Sequence, residues 1–209
     1  MGLRRIFRLL SLAVMAGLVG GSGTVRLLAA PELRPPLVGV TLASGVIVPS
    51  QEAVRSLYGR TQVPFHGQVN FFLGRGFSLF AGVRYVRQKG STQVAGRTIV
   101  EEHHPLEFRM VSARAGPEFS VSLRAVHFTM GMGLSHNWVQ ERWLDVPLNN
   151  DLKKWGLFVR AGIDLDLGRQ WAIILRLEYS TVPTGRKTAL GPRVNLGGNE
   201  VILGLLFRL

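Results

Sequence analysis

The run Glu101-Glu102-His103-His104 gathers the side-chain types that hold a divalent metal, but its spacing works against a site. In extended chain, neighbouring side chains point to opposite sides, so four consecutive ligands cannot reach one ion without a turn. A solvated loop accounts for the run. Ser135 and His136 are the next pair with catalytic types, nucleophile and base. Adjacency again puts them on opposite faces of a strand. His127 and Thr129 do share a face, but Thr stands where acyl transfer uses Ser, so no catalytic residue is assigned. "GRG" (74–76) and "GPR" (191–193) are isolated turn signals, without the strand and helix that flank a phosphate-binding loop. The chain has no cysteine, hence no disulfide, no thiolate metal site and no lipidated N-terminal cysteine. No metal or cofactor is implied.

A second set of charges lies inside strictly alternating segments. In "WAIILRLEY", Trp171 to Tyr179, every second residue from Trp171 is Trp, Ile, Leu, Leu, Tyr. The intervening positions hold Ala172, Ile174, Arg176 and Glu178. Arg176 and Glu178 therefore share a face, with Cα atoms about 7 Å apart. They can bridge each other or meet Asp164 and Arg160 on the preceding segment. The same parity puts Arg84, Arg114, Glu118, Asp166 and Arg208 on the less apolar face of their own segments.

Eight segments show this period of two, at about 37–48, 63–73, 77–87, 106–119, 125–139, 154–167, 171–182 and 199–209. The sixth, "WGLFVRAGIDLDL", sorts Trp155, Leu157, Val159, Ala161, Ile163 and Leu165 against Gly156, Phe158, Arg160, Gly162, Asp164 and Asp166. The fourth is irregular. Leu106, Phe108 and Met110 share one parity, while Val111, Ala113, Ala115 and Phe119 share the other. A β-bulge near Met110–Val111, or a misplaced strand start, would reconcile them. Connections alternate between tight (74–76, near 119–124, 168–170) and long (near 49–62, 88–105, 140–153, 183–198). That is the pattern of an antiparallel up-and-down sheet. Helical spacing is confined to "QEAVRSLYG" (51–59).

The 209 residues make one domain with a short extension, and mean hydropathy is +0.20. No run after residue 30 approaches the roughly 18 apolar residues of a membrane helix. The formal net charge is +12, and Arg4, Arg5, Arg8 and Arg26 fall before residue 31. The remaining basic residues are scattered singly, with no aromatic platform among them, which excludes a nucleic-acid partner. Residues 1–30 have a basic start, an apolar core from Leu9 to Val19 and then small residues, as in a secretory signal peptide. Cleavage after Gly21, Gly23 or Ala30 is compatible with the pattern. A Pro-rich spacer follows at 31–36.

Two features decide which face of the sheet is outside. The less apolar face is poor in Lys and rich in small residues, including Gly39, Gly45, Gly82, Gly131, Gly133, Gly162 and Gly204. A narrow eight-stranded interior needs small residues beside a few large ones. Aromatics on the apolar face mark strand ends: Phe65 and Phe71, Phe77 and Tyr85, Trp171 and Tyr179, with Trp138, Trp155 and Phe207. Eight residues in a strand tilted about 40° rise about 20 Å, close to the height of a bilayer's apolar band between aromatic girdles. The expected fold is therefore all-β, an eight-stranded antiparallel up-and-down transmembrane barrel over residues 37–209.

In these patterns the chain resembles the small eight-stranded outer-membrane β-barrel proteins of Gram-negative bacteria. "VIVPSQEAVRSLYG" (46–59) is similar to the first strand end and first loop in a group of them. "VILGLLFRL" (201–209) is similar to the C-terminal strand read by the barrel assembly machinery, with Leu209 where an aromatic is usual and Phe207 close by. The resemblance implies a monomer in outer-membrane lipid and lipopolysaccharide, with periplasmic termini and long extracellular loops. It implies a structural or interaction role rather than a wide pore; a lipid A-modifying enzyme and a narrow channel are the alternatives. The mixed charges of the inner face then read as a salt-bridged network filling the lumen. Arg186, Lys187 and Arg193 of the fourth long loop read as contacts to acidic head groups.

Overall fold

Alternation over this many segments can bury one face only if the sheet closes on itself or stacks on another. A computed structural model, describing residues 37–94, 102–145, 147, 149–184 and 194–209, shows closure. The strands are β1 (Val38–Pro49), β2 (Pro64–Gly74), β3 (Phe77–Val94), β4 (Glu102–Leu123), β5 (Val126–Trp143), β6 (Asn149–Asp166), β7 (Trp171–Thr181) and β8 (Gly198–Arg208). Each pairs antiparallel with the next, and β1 pairs with β8 from Gly39↔Arg208 to Pro49↔Gly198. The expected eight-stranded up-and-down barrel is the observed fold. One helix, α1 (Glu52–Tyr58), occupies the first long connection. The signal peptide (1–30), the spacer (31–36), Glu101 and the loop cations Arg186, Lys187 and Arg193 lie outside the described residues.

The tight turns and both ends of the barrel chain share one rim. Arg75 and Gly76 turn β2 into β3, with φ of 53° and 76°. Positive φ at both central residues is the twist that suits a two-residue hairpin. Arg124 (φ 58°) begins the β4–β5 turn. At the opposite rim, two connections are shorter than the sequence suggested. β3 runs on to Val94 and β4 starts at Glu102, while β5 runs to Trp143 and β6 starts at Asn149. The reason is physical: above the apolar band the outward face turns polar and the two-residue hydrophobic period ends, but backbone pairing does not depend on that period, so the ladder continues. Glu102, His103 and His104 are thus part of a strand.

β4 contains no bulge. It keeps one constant register with β3 from Phe77↔Phe119 to Val94↔Glu102, and with β5 from Leu106↔Trp143 to Leu123↔Val126, where the pairing skips only Gly116 and Pro117. Leu106, Phe108 and Met110 point into the lumen, where they are fully buried. The parity conflict was real, and the inward face itself is apolar at that height. The register irregularity lies instead in β2, between Phe72 and Gly74.

The outward face is a belt of exposed apolar side chains, including Leu79, Val159, Leu175, Leu177 and Leu203. Among the described residues no helix is long and apolar enough to cross a membrane; the strands form the apolar belt. In hydrocarbon, Leu175→Arg is expected to cost about 2–4 kcal/mol, and Leu209→Arg at the rim about 0–1 kcal/mol. Urea unfolding in lipid vesicles measures both; equal costs would remove the lipid-facing assignment.

Candidate functional site

The lumen is layered, and its middle layer is charged. Arg84, Arg114, Arg160 and Arg176 are buried there with Glu118, Asp164, Glu178 and Glu200, four cations against four carboxylates. Alternation brings them inside; opposite strands bring them together. Arg114 Nη2 lies 2.5 Å from Glu178 Oε1, and Arg160 Nη2 lies 2.7 Å from Glu118 Oε2. Arg84 Nη1 donates to Glu200 Oε2 at 3.2 Å, with Glu178 Oε1 3.9 Å away. Arg176 Nη1 donates to Asp164, and its Nη2 is 3.7 Å from Glu118 Oε1. His66 Nε2 is 2.5 Å from Glu200 Oε1. Arg160 Nη1 donates to Gln68 Oε1 at 2.7 Å, Gln68 to Asn70, and Asn70 to Thr41.

Two guanidiniums also lie over rings, Arg114 4.0 Å from the Phe158 centroid and Arg160 3.6 Å from that of Phe80. Glycine makes the room. A Cβ on Gly133 would stand 2.6 Å from the Phe158 ring, and one on Gly162 would strike the Arg176 side chain. Stripping water from an ion costs several kcal/mol, so such a layer holds only when signs balance and partners are close.

Apolar layers close it from both sides. Toward the long loops, Ile47, Val86, Leu106, Phe108, Met110, Val139 and Val182 pack with Val54 and Tyr58 of α1. The Tyr58 ring sits 4.8 Å from that of Phe108, and its hydroxyl donates to Glu141 Oε1 at 2.8 Å. Burial, and then the Glu141 carboxylate, push that hydroxyl's pKa well up, so it stays a donor. The helix thus folds into the barrel mouth. Toward the turns, Ala172, Ile174 and Leu206 pack with Ala43 and Phe72.

Below them, at the rim of the tight turns, Ser122 Oγ is 2.6 Å from His127 Nδ1. His127 Nε2 is 2.7 Å from Asp166 Oδ2, and Arg208 Nη1 is 2.7 Å from Asp166 Oδ1. Asp166 and Arg208 are therefore separate from the central layer. Ser135 points inward and accepts from Asn137, whereas His136 points outward, edge-on to Trp138 at 4.6 Å and Trp155 at 4.7 Å. Thr129 is inside and bonds to neither. Among the described residues no group of His and acidic side chains could hold a metal ion.

The girdle residues face out at two heights. Phe65, Tyr85 and Trp138 fall in one cross-strand row with Val111, toward the long loops. Trp155 and Tyr179 lie near that height, and Phe71, Phe77 and Trp171 lie toward the turns; all are at least one-third exposed. Phe207 packs against Trp171, with ring centroids 4.7 Å apart and planes tilted by 47°.

No family model matches the chain, and no curated protein matches it in sequence. Solved structures match its fold. Neisserial surface protein A aligns with a TM-score of 0.57 at 13% identity, over 82% of this chain and 96% of that one. The N-terminal β-barrel domain of OprF from Pseudomonas aeruginosa gives 0.50 at 12%, over 83% and 98%. The attachment invasion locus protein Ail of Yersinia pestis, solved with the heparin analogue sucrose octasulfate, gives 0.50 at 14%, over 82% and 96%. The chain has the fold of the small eight-stranded outer-membrane barrels. Its apolar wall belongs in a bilayer.

Glu200, His66 and Gln68 complete the charged layer and were not singled out in the sequence. Parity carried the signal: Glu200 alternates with Ile202, Gly204 and Leu206, and His66 with Gln68 and Asn70. Partner choice carried none. Glu178 is the register partner of Arg160, yet its close ion pair reaches across the lumen to Arg114. Removing one member of a buried pair leaves an uncompensated charge, so Glu178→Leu is expected to cost about 3–5 kcal/mol. With Arg114→Met added, the cost should fall well below the sum of the two single changes in an unfolding double-mutant cycle. Strict additivity would show that the pair is uncoupled.

Proposed function

We propose that this chain is an outer-membrane barrel that acts through its outer wall and extracellular loops, with its lumen serving stability. The supporting observation is the filled lumen: a balanced charged layer lies between two apolar layers, one sealed by α1. The role is structural or interaction-based, in envelope integrity and in contact with lipopolysaccharide or a partner. In this reading residues 1–30 direct export and are removed. Val201, Leu203, Leu205, Phe207 and Leu209 of the last strand address the barrel assembly machinery, and the barrel works as a monomer.

The loop cations Arg186, Lys187 and Arg193 are assigned to acidic head groups. Ail, solved with a sulfated sugar, offers a precedent in this fold for a polyanion partner. Replacing the three cations by Gln is expected to weaken lipopolysaccharide binding several-fold, read by titration of the refolded barrel; unchanged affinity would set the loop assignment aside. In planar bilayers the barrel is expected to give no steady single-channel current. Stepwise conductance would favour the narrow-channel reading.

A lipid ester hydrolase is the second reading, and one observation favours it: Ser122, His127 and Asp166 are hydrogen-bonded in nucleophile–base–acid order. Asp166 is also tied to Arg208, which suits a closed rim. A fluorophosphonate probe is expected to leave Ser122 unlabelled. Covalent labelling there, lost in His127→Ala, would make the barrel an enzyme.

A further inference from the structure

The outer wall carries cations where a lipid-facing surface should end. Above the aromatic row of Tyr85, Val111 and Trp138, the next row outward is Arg87, Arg109, Gln140 and Asp151. The row beyond it is Lys89, Glu107, Arg142 and Asn149. Arg87 and Arg109 are direct cross-strand partners. Like charges placed directly opposite destabilise a sheet, so this pair needs counter-charge. Glu107 supplies part of it: Arg87 Nε donates to its Oε1, and Arg109 Nη2 donates to its Oε2 at 3.0 Å. The Glu107 carboxylate is 6% exposed beneath them, while the Arg87 and Arg109 side chains remain 52% and 42% exposed.

The charge does not balance. Arg87, Lys89, Arg109, Arg142 and Lys153 face Glu107 and Asp151, leaving this wall with three excess cations among the described residues. The surface is also concave. A depression of about 410 Å³ is lined by Tyr85, Arg109, Val111, Trp138 and Gln140. A second depression, about 220 Å³, adjoins it through Arg109 and Gln140 and reaches Arg142.

We infer that this wall of β3, β4 and β5 binds one phosphorylated outer-leaflet glycolipid, with phosphate on Arg87 and Arg109 and acyl chain on Tyr85, Val111 and Trp138. The arrangement has two halves, and only an amphiphile satisfies both. Guanidinium forks match phosphate oxygens bidentately. The aromatic row lies about 7 Å below, two residues along the strands, where an acyl chain attached to that head group begins. Glu107 holds the two guanidiniums side by side and at the same time competes with the incoming phosphate. The inference rests on the proposed reading that this end of the barrel meets lipopolysaccharide, and it adds a contact on the wall to the one assigned to the loops.

The test titrates the refolded full barrel in non-ionic detergent with bis-phosphorylated lipid A, read by native mass spectrometry. Heat-modifiable gel migration checks closure of each variant. R87Q/R109Q is expected to lower lipid A affinity at least tenfold, and dephosphorylated lipid A to bind the unaltered barrel as weakly. E107Q is expected to raise affinity, because it removes the competing carboxylate and keeps an acceptor for the arginines. A purely structural ion pair would not do that. R124Q/R169Q, at the opposite rim, is expected to bind as the parent does. Inorganic phosphate at equal concentration is expected not to displace lipid A; full displacement would make this a free-anion site and overturn the glycolipid assignment.

Parent-like affinity in R87Q/R109Q also overturns it. If the loop variant R186Q/K187Q/R193Q then loses affinity, the loops hold the lipid and the broader reading survives. Absence of lipid A binding by the parent barrel removes both. If R87Q/R109Q fails to close, unchanged or lower affinity in closed E107Q overturns the proposal alone.

Discussion

Everything in this barrel follows from the rule that backbone polar groups in hydrocarbon must pair with one another. An open sheet would leave two rows of unpaired N–H and C=O groups at its edges, each costing several kcal/mol in lipid. The β1–β8 pairing, from Gly39↔Arg208 to Pro49↔Gly198, removes those edges. Closure with eight strands then sets a narrow interior, and the bilayer claims the apolar face for the outside. The residues left to fill the centre are therefore the polar ones. Arg84 is among the largest fully buried side chains for that reason, while Trp155 is 65% exposed.

A polar interior shut off from bulk solvent has its own requirement. Each buried ion must find an opposite charge, because the penalty for an orphan is larger than the gain from a pair. Four arginines and four carboxylates meet it by number, and His66, Gln68 and Asn70 extend the hydrogen bonding to the β1–β2 wall. The apolar layers above and below exclude solvent, which strengthens each pair and raises the cost of breaking one. Leu106, Phe108 and Met110 on β4 belong to this logic, as does α1, which brings Val54 and Tyr58 into the mouth. The charged layer ties strands that are far apart around the barrel, as Arg84 on β3 with Glu200 on β8. It therefore fixes the cross-section in a way that neighbour-to-neighbour ladders alone do not.

What was legible in the sequence is what repeats with the strand period. The eight strands, the tight turns and the inward parity of residues such as Arg84 and Asp164 all follow from alternation. What was not legible depends on distance across the lumen or on height along the axis. No one-dimensional pattern says that Glu178 reaches Arg114 rather than its register partner Arg160. The apolar inward run of β4 broke the parity rule because the lumen changes character with height, and a bulge was the wrong remedy. Ser122 meets His127 only through the β4–β5 turn, which makes the two register partners, and alternation within either strand carries no sign of that. The loop lengths were overestimated because hydrophobic period ends at the membrane surface and hydrogen-bonded strand does not.

That last difference also bears on where the protein acts. β3 to β6 run 18, 22, 18 and 18 residues, against 11 or 12 for the other four. Crossing the apolar band takes only about 9–11 residues of tilted strand. The surplus in the four long strands lies toward the long loops, so one side of the barrel wall rises beyond the aromatic row while the other stops near it. The foot of the taller wall helps to seal the lumen, because Leu106, Phe108 and Met110 of β4 and Val139 of β5 lie above the aromatic row and pack with α1. On its outer side the same wall presents a two-hairpin surface whose backbone is held by ladder hydrogen bonds rather than by loop conformation. The paired arginines at the foot of that surface sit where its apolar period gives way to charge, at the height where lipid head groups meet water.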